Sequence, residues 1–247
     1  MKFTLYDYLL YKRIANDDVK SFYDGLFSVQ RILFLGDKYS HMGYTGTTDS
    51  AHVNHSEHFL RSLACPDLAL TEAYRCQISG PFKTGHPFSV SLINGLYLLL
   101  DGKKQETIDY LNESLKTKTI NKYKYGLAIL QAIKAIAEKD EDSFLAELNS
   151  MLKLQNRIIF PDYVMSFINL EAIGLYNLAD KIWGKRPLEP ESEYWDAEYI
   201  QYSREHKPEF LINFSELSPV FARWIKELPS EISMIELLED TEKSKAQ

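Results

Sequence analysis

The chain has 247 residues, a length suited to one large domain, and 45% of them are hydrophobic, which is enough for a sizeable core. Its formal net charge of −7 disfavours a nucleic-acid partner, because phosphate binding needs a basic surface, and favours a basic protein partner. Two cysteines are too few for a disulfide framework.

The first residues look like neither a secretion signal nor a membrane span. Asp7 and the pair Lys12–Arg13 interrupt any apolar segment there, and no small-residue cleavage site follows. No stretch of the chain approaches the roughly 18 consecutive apolar residues that read as a membrane-spanning helix. We therefore expect a soluble, cytoplasmic protein that does not contact a membrane.

Two helices are predicted near the N-terminus. The first covers Thr4–Ala15, and its apolar spacing directs one set of side chains inward. That inward set is Leu5, Tyr8, Leu9 and Ile14. Asn16–Asp18 then supply an N-cap for a longer helix, which we expect to run to Leu35 and to end at Gly36.

The segment Asp37–Ser50 is the most turn-like part of the chain. Its glycines and threonines lack the lysine and the spacing of a phosphate-binding loop, so they predict a solvent-exposed connector rather than a binding loop. Helices are expected again from Asp49 and from Pro66. Cys65 and Cys76 are expected to pack as small core residues.

Three histidines follow at intervals of three residues, at His52, His55 and His58. On a helix they would fall within about 120° of one another, so three imidazoles could face one metal ion. Metal-binding helices more often use an i, i+4 pair with a further ligand from elsewhere, and the sequence identifies no such further ligand. We favour a polar helix face, and a metal-dependent enzyme using these histidines is the lesser alternative.

The centre of the chain, Pro87–Leu154, predicts two successive helical hairpins. The first begins with a helix that is apolar on nearly all sides, from Pro87 to Leu100, and Asp101–Gly102 ends it. Its amphipathic partner places Ile108, Leu111 and Leu115 inward and Thr107, Asp109, Asn112 and Glu113 toward water.

The same pattern recurs from Tyr125 to Leu152, with a break at Lys139–Asp140. Ile108 and Phe144 are separated by 36 residues, as are Leu115 and Met151, and a period of this length is typical of helix-pair repeats. Because one pair cannot bury its apolar face alone, we expect the pairs to stack. Neither unit carries the Trp, Gly and Pro pattern of a tetratricopeptide repeat, so the predicted arrangement is tetratricopeptide-like and not a true repeat array.

A third apolar helix is predicted from Asp162 to Lys181, and Gly184–Pro190 breaks the chain after it. Three prolines then divide the remainder into short helices. They are Pro208, Pro219 and Pro229. The last residues, Thr241–Gln247, should fray.

The stretch Glu189–Glu209 interleaves acidic and aromatic residues, and it carries the main functional hypothesis. Aromatic side chains are the usual anchors of protein interfaces, and carboxylates steer a basic partner. The candidate partner-binding residues are Glu191, Glu193, Tyr194, Trp195, Asp196, Glu198 and Tyr199. In a second interpretation, which stays open, the aromatics only pack a C-terminal helix onto the hairpins and the acids form a solvated face. If the stretch is the interface, reversing Glu193, Asp196 and Glu198 to lysine should weaken binding of the partner without unfolding the chain.

The order of elements from Phe88 to Gly184 resembles a known family. It contains a buried helix that ends at Asp101–Gly102, an amphipathic partner helix and a second such pair, Tyr125–Leu152. Arg157–Phe160 then leads into another apolar helix. This order looks like that of the Imm49-type immunity proteins of bacterial polymorphic toxin systems. The resemblance implies a mostly helical protein without enzymatic activity that neutralises a cognate toxin by binding it. It transfers no functional residue by position.

We predict one all-α domain over 1–247. It comprises N-terminal helices and a Gly-rich loop (1–80), stacked antiparallel hairpins (81–184), acidic-aromatic helices (185–240) and a frayed tail (241–247). No Gly-x-Ser-x-Gly elbow is present, and we predict no enzyme, no catalytic residue and no cofactor. The leading function is an immunity protein that occludes the active site of a basic toxin, and the alternative is a helical-repeat adaptor for a peptide or another protein.

Overall fold

The computed structural model of the chain describes residues 5–39, 56–76, 81–155, 167–211, 213, 218–229, 232–233 and 235–239. Within those ranges the regular secondary structure is α-helical, and no β-strand is present, which confirms the predicted all-α class. In chain order the helices are α1 (Leu5–Ala15), α2 (Val19–Tyr39), α3 (56–62), α4 (Leu68–Cys76), α5 (Pro87–Leu100), α6 (Lys104–Ser114), α7 (Lys118–Lys122), α8 (Lys124–Glu138), α9 (Glu141–Leu154), α10 (Leu170–Trp183), α11 (Ala197–Glu205), α12 (Pro219–Glu227) and α13 (235–239).

The two predicted central hairpins form where the sequence indicates them. Helix α5 begins at Pro87, and Gly102 follows it with a φ of 75°. Helix α8 ends at Glu138, and Lys139 follows it in the left-handed region with a φ of 60°. The Asp140 carboxylate then caps α9 by accepting from the Ser143 N–H (3.0 Å). Helix α5 packs against α6 and α8, and α8 packs against α9. Whether these pairs form a tetratricopeptide-like stack stays a prediction.

One residue of the amphipathic helix α6, Thr107, faces the core and not, as predicted, the solvent. Thr107 was expected to face water, but its side chain is buried. The hydroxyl donates to Lys103 O (2.9 Å), so the group is satisfied by the preceding turn and can lie in an apolar setting. Asp109, Asn112 and Glu113 are exposed, as predicted.

The first two helices differ from the prediction in extent and in facing. Gly36 does not end α2, which continues to Tyr39, because glycine weakens a helix by only about 1 kcal/mol and the flanking residues are buried. In α1, Leu9 is fully buried as predicted, whereas Tyr8 and Ile14 are exposed. Leu9 packs into the notch left by Gly25 of α2, where a Cβ would collide with the Leu9 side chain.

Several predicted features lie outside the described residues. They are the connector residues 40–50, the helix start at Asp49, His52, His55 and the tail from Thr241. The third apolar helix was predicted from Asp162, but 156–166 are also outside the described ranges and 167–169 are not helical. Helix α10 instead begins at Leu170, and the buried Asn169 caps it by accepting from the Ala172 N–H (2.9 Å).

Helices α11 and α12, near the C-terminus, pack against helix α2. Both α11 and α12 contact it, and Pro219 occupies the first turn of α12, where Ser218 provides the cap. One hydrophobic cluster extends from Leu9 to Ile232, so both ends of the described chain share a core with the central hairpins.

Helices α3 and α10 approach so closely that Gly174 leaves no room for a side chain. A Cβ there would lie 2.5 Å from the carbonyl oxygen of Leu60, a backbone atom that cannot rotate away. We expect Gly174→Ala to lower the free energy of unfolding by about 1–3 kcal/mol, the usual cost of overpacking a core. Gly36→Ala is the matched control, since none of the residues that the structure describes has an atom within 4 Å of its Cβ position. It should raise the free energy of unfolding by up to about 1 kcal/mol through helix propensity. Urea denaturation measures both, and a Gly174→Ala protein as stable as the parent would contradict the close approach.

Candidate partner-binding surface

The acidic-aromatic stretch begins where α10 ends. Gly184 takes a positive φ of 66° at that end, a conformation that suits glycine, and its N–H donates to Asp180 O (2.9 Å). Residues 185–196 then run without helical structure, with Pro187 and Pro190 buried. The predicted break at Gly184–Pro190 is therefore confirmed.

Trp195 anchors the middle of the stretch to α10. Its ring packs edge-on against the ring of Tyr176, with centroids 5.1 Å apart, and its Nε1–H donates to Glu189 Oε2 (3.2 Å). The Tyr176 hydroxyl donates to Pro187 O (3.0 Å), and burial raises the pKa of this phenol. These contacts hold the non-helical residues against α10.

Asp196 joins the two ends of the chain. Its carboxylate caps α11 by accepting from the Tyr199 N–H (3.0 Å), and it accepts from Arg13 at Nε (2.7 Å) and Nη2 (2.9 Å). Glu198 and Asp17 accept from the same guanidinium, each at 2.7 Å, so three carboxylates surround one cation. The hydrogen bond to Asp196 is the main cause that raises the pKa of Arg13. Arg13 could not be assigned to this site from the sequence, because no local pattern indicates a contact between α1 and α11.

Tyr199 lies behind the candidate surface and not on it. Its side chain is fully buried, and its ring meets those of Phe22 and Tyr23 edge-on, at centroid distances of 5.4 and 5.9 Å. Its hydroxyl donates to Ala64 O (2.9 Å), and burial raises the pKa of the phenol well above its usual value. This predicted binding residue therefore packs α11 onto α2, a structural role that the second interpretation of the stretch anticipated for aromatics, although with a different helix.

The outer face of the stretch carries Glu191, Glu193 and Tyr194. Both carboxylates are exposed, and neither forms an ion pair or hydrogen bond with any residue that the structure describes. Tyr194 is half-buried, and its carbonyl accepts from the Asn169 N–H (3.2 Å). These three side chains and Ser192 form one wall of an open cleft of about 420 Å³. The opposite wall consists of Asn149, Leu152 and Lys153 of α9. The stretch thus presents two carboxylates without a described partner beside an aromatic ring at a concave surface, and Lys153 lies on the opposite wall.

These placements change the mutational test that the sequence suggested. Reversing Asp196 and Glu198 to lysine would set new cations against Arg13 and remove the cap of α11. Loss of binding in such a variant would report disturbed packing as well as lost contacts. Glu191 and Glu193 are the pair whose reversal leaves the anchors of the stretch in place.

Asp196 and Glu198 should differ sharply in their contribution to stability. We expect Asp196→Ala to lower the free energy of unfolding by about 2 kcal/mol, because removal of a cap costs about 1 kcal/mol and the Arg13 side chain also loses its main partner. The Glu198 side chain is 58% exposed. Glu198→Ala should therefore change the free energy of unfolding by less than about 1 kcal/mol. Urea denaturation of the two variants checks this order, and equal effects would contradict the role given to Asp196.

The structure places one of the three histidines singled out in the sequence. His58 lies in α3, with Nδ1 3.0 Å from both carboxylate oxygens of Asp37, and the Tyr74 hydroxyl donates to the same carboxylate (3.3 Å). Among the described residues, no group of three or more His, Cys, Asp or Glu side chains is arranged to hold a metal ion. Cys65 is buried as expected, whereas Cys76 is exposed at the end of α4.

Comparisons with known protein families, with functionally characterised proteins and with solved structures gave no significant match. Within the described ranges, no helix has both the length and the apolar character needed to cross a membrane.

Proposed function

We propose that this chain is an immunity protein, which binds a cognate bacterial toxin in the cytoplasm and neutralises it by covering its active site. The observation that carries the proposal is a pair of exposed carboxylates, Glu191 and Glu193, which have no partner in the described part of the chain and lie on a segment that is fixed to the core. The resemblance of the central helices to immunity proteins agrees with this function. The chain acts by binding alone, without catalysis and without a cofactor.

The anchoring of the stretch supports a binding role because it lowers the entropic cost of forming a complex. When a loop becomes ordered only on binding, each side chain that is immobilised carries an entropic cost, and the affinity for the partner falls accordingly. Here Trp195 and Asp196 already fix the segment through contacts with α10 and α1. The outer residues are therefore held in one arrangement before a partner arrives.

Charge supports a basic partner. The chain has a net charge of −7, and at the cleft two carboxylates without a partner among the described residues outnumber one lysine, Lys153. Complementary charges raise the association rate and disfavour wrong partners. Toxins that act on nucleic acid are one class with a suitably basic surface. The half-buried Tyr194 supplies an aromatic contact next to these charges.

Co-expression with the protein encoded immediately upstream tests the proposal. We expect that protein, or its C-terminal part, to arrest growth when produced alone and to be tolerated when this chain is produced with it. The two proteins should then purify together as a stable complex. Arrest that this chain does not relieve, or a neighbour without toxicity, would contradict the proposal.

A protein-binding adaptor is the second candidate, and a different surface favours it. A cavity of about 270 Å³ lies between the α3–α4 turn and helices α10 and α11, and Leu68 at its edge is 68% exposed. An apolar side chain of a bound peptide would fit such a cavity. Leu68→Lys should abolish peptide binding by an adaptor and leave protection by an immunity protein unchanged.

A further inference from the structure

Helix α1 carries an exposed apolar face, and two of its three residues, Tyr8 and Ile14, were predicted to lie inside the core. Tyr8, Tyr11 and Ile14 are 41%, 55% and 51% exposed. Their spacing of three residues places them within about 120° of one another on the helix, while Leu9 lies roughly opposite and is buried. Three large apolar side chains on one exposed face form a patch of the kind that marks interaction sites.

The cause of this exposure is the way α1 sits on α2. Leu9 fills the notch at Gly25, and Arg13 is drawn toward Asp196 and Glu198. Both contacts are on the inner side of α1, so its orientation is fixed by that side. Among the described residues, the three side chains of the outer face therefore do not pack against the hydrophobic core.

The surroundings of this face are acidic. Two cations, Lys12 and Arg13, are paired with four carboxylates. The carboxylates are Asp17, Asp18, Asp196 and Glu198. The cluster therefore keeps a surplus of two negative charges, and its most exposed member, Asp17, has a side chain that is 83% exposed directly after α1.

We propose that the face formed by Tyr8, Tyr11 and Ile14 is a second contact surface for the basic toxin, with the carboxylates of Asp17 and Asp18 at its C-terminal edge. This inference rests on the proposed immunity function and names a part of the interface that the acidic stretch does not include. Tyrosine is among the residues that dominate binding energy in interfaces, and its ring also attracts a cation. The Lys12 ammonium already lies 5.7 Å from the centroid of the Tyr8 ring, so a cation can reach that ring.

The same charges argue against a second copy of this chain as the occupant. Two copies joined through α1 would bring two acidic clusters together, and like charges across an interface oppose association. A basic partner instead gains both the apolar contact and the attraction of the surplus carboxylates.

The test compares two double variants of the full-length chain for affinity to the purified toxin, by calorimetry. Tyr11→Ala/Ile14→Ala should raise Kd at least about tenfold, as expected for truncation of interface anchors. Ile235→Ala/Leu238→Ala removes two exposed apolar side chains of α13, 69% and 61% exposed in the parent, and should leave Kd within about twofold of the parent. Circular dichroism and urea denaturation should show both variants folded as the parent is.

The outcomes separate the inference from the function on which it rests. A parent chain that binds toxin, together with a Tyr11→Ala/Ile14→Ala variant that binds equally well, would overturn the inference and leave the immunity function standing. A parent that binds no toxin would overturn both. A parent that sediments as a dimer, with the same variant monomeric, would assign the face to self-association and overturn the inference.

Discussion

Replacement of Arg31 with alanine should lower the free energy of unfolding by about 3–5 kcal/mol, because it removes one partner of a buried ion pair and leaves the other charge unpaired. Arg31 in α2 donates to Asp67 from Nε (2.6 Å) and from Nη2 (3.1 Å), and both residues are only 6% or so exposed. Its Nη1 also donates to Ile225 O and Lys226 O, each at 2.8 Å, in the last turn of α12. The Arg31 side chain thus joins α2, the start of α4 and α12.

The expected loss is large because several groups lose their partner at once. Asp67 caps α4 by accepting from the Leu70 N–H (3.1 Å), and its charge would remain in a site closed to water. The guanidinium also lies over the ring of Phe27, 4.6 Å from its centroid, so its removal leaves a void beside an aromatic ring. Domains are stable by only about 5–15 kcal/mol, so this single change would consume much of the total.

Arg75→Ala is the matched control for Arg31→Ala. Arg75 also pairs with two carboxylates, those of Glu72 and Asp101, but its side chain is 29% exposed at the surface of α4. Water replaces such contacts, so the expected loss is at most about 1 kcal/mol. Urea denaturation gives both values. If both variants lost the same free energy of unfolding, the Arg31 contacts would not be what holds α12 to the core.

The double reversal Glu191→Lys/Glu193→Lys should weaken toxin binding at least about tenfold, since like charges facing one another across an interface cost several kcal/mol. Both carboxylates are exposed and have no described partner, so the reversal leaves the anchors at Trp195 and Asp196 intact. The free energy of unfolding should therefore change little, while protection in the co-expression assay is lost. Raising the ionic strength should reduce the difference from the parent, because salt screens exposed charges.

A reversal on another surface separates position from total charge. Glu106→Lys/Asp109→Lys changes the net charge by the same amount on the exposed side of α6. If the cleft beside α9 is the interface, this control should protect almost as well as the parent. Equal loss of protection in both variants would assign the effect to net charge, and protection by the Glu191→Lys/Glu193→Lys protein would exclude the cleft as the interface.

Local signals in the sequence were sufficient for the central hairpins. Pro87, Gly102 and the pair Lys139–Asp140 act on their own neighbours, through a fixed φ, a positive φ and a cap, so their effect can be predicted from spacing alone. Gly36 shows the limit of such signals. A weak local preference for ending a helix loses to the burial of Phe34 and its neighbours, which only the folded chain reveals.

The facing of residues at the candidate site depends on partners far away in sequence. The acidic-aromatic composition indicated the right stretch to inspect, but not which residues face inward. Trp195 and Asp196 are held by α10 and α1, and Tyr199 is buried against α2. Likewise, Tyr8 and Ile14 fit an inward apolar pattern, yet the Leu9–Gly25 contact turns them outward. The structure therefore divides the stretch into anchors and an outer face, and the outer face is the part that the proposed function uses.

Titration of the purified toxin with the purified chain tests the central claim most directly. The measured quantity is the toxin's activity at increasing ratios of this chain, with the Glu191→Lys/Glu193→Lys protein in parallel. The account predicts that activity falls to the background at a fixed stoichiometric ratio, and that the reversed protein requires a large excess to reach the same level. Toxin activity that is unchanged at saturating concentrations of the parent chain would contradict it.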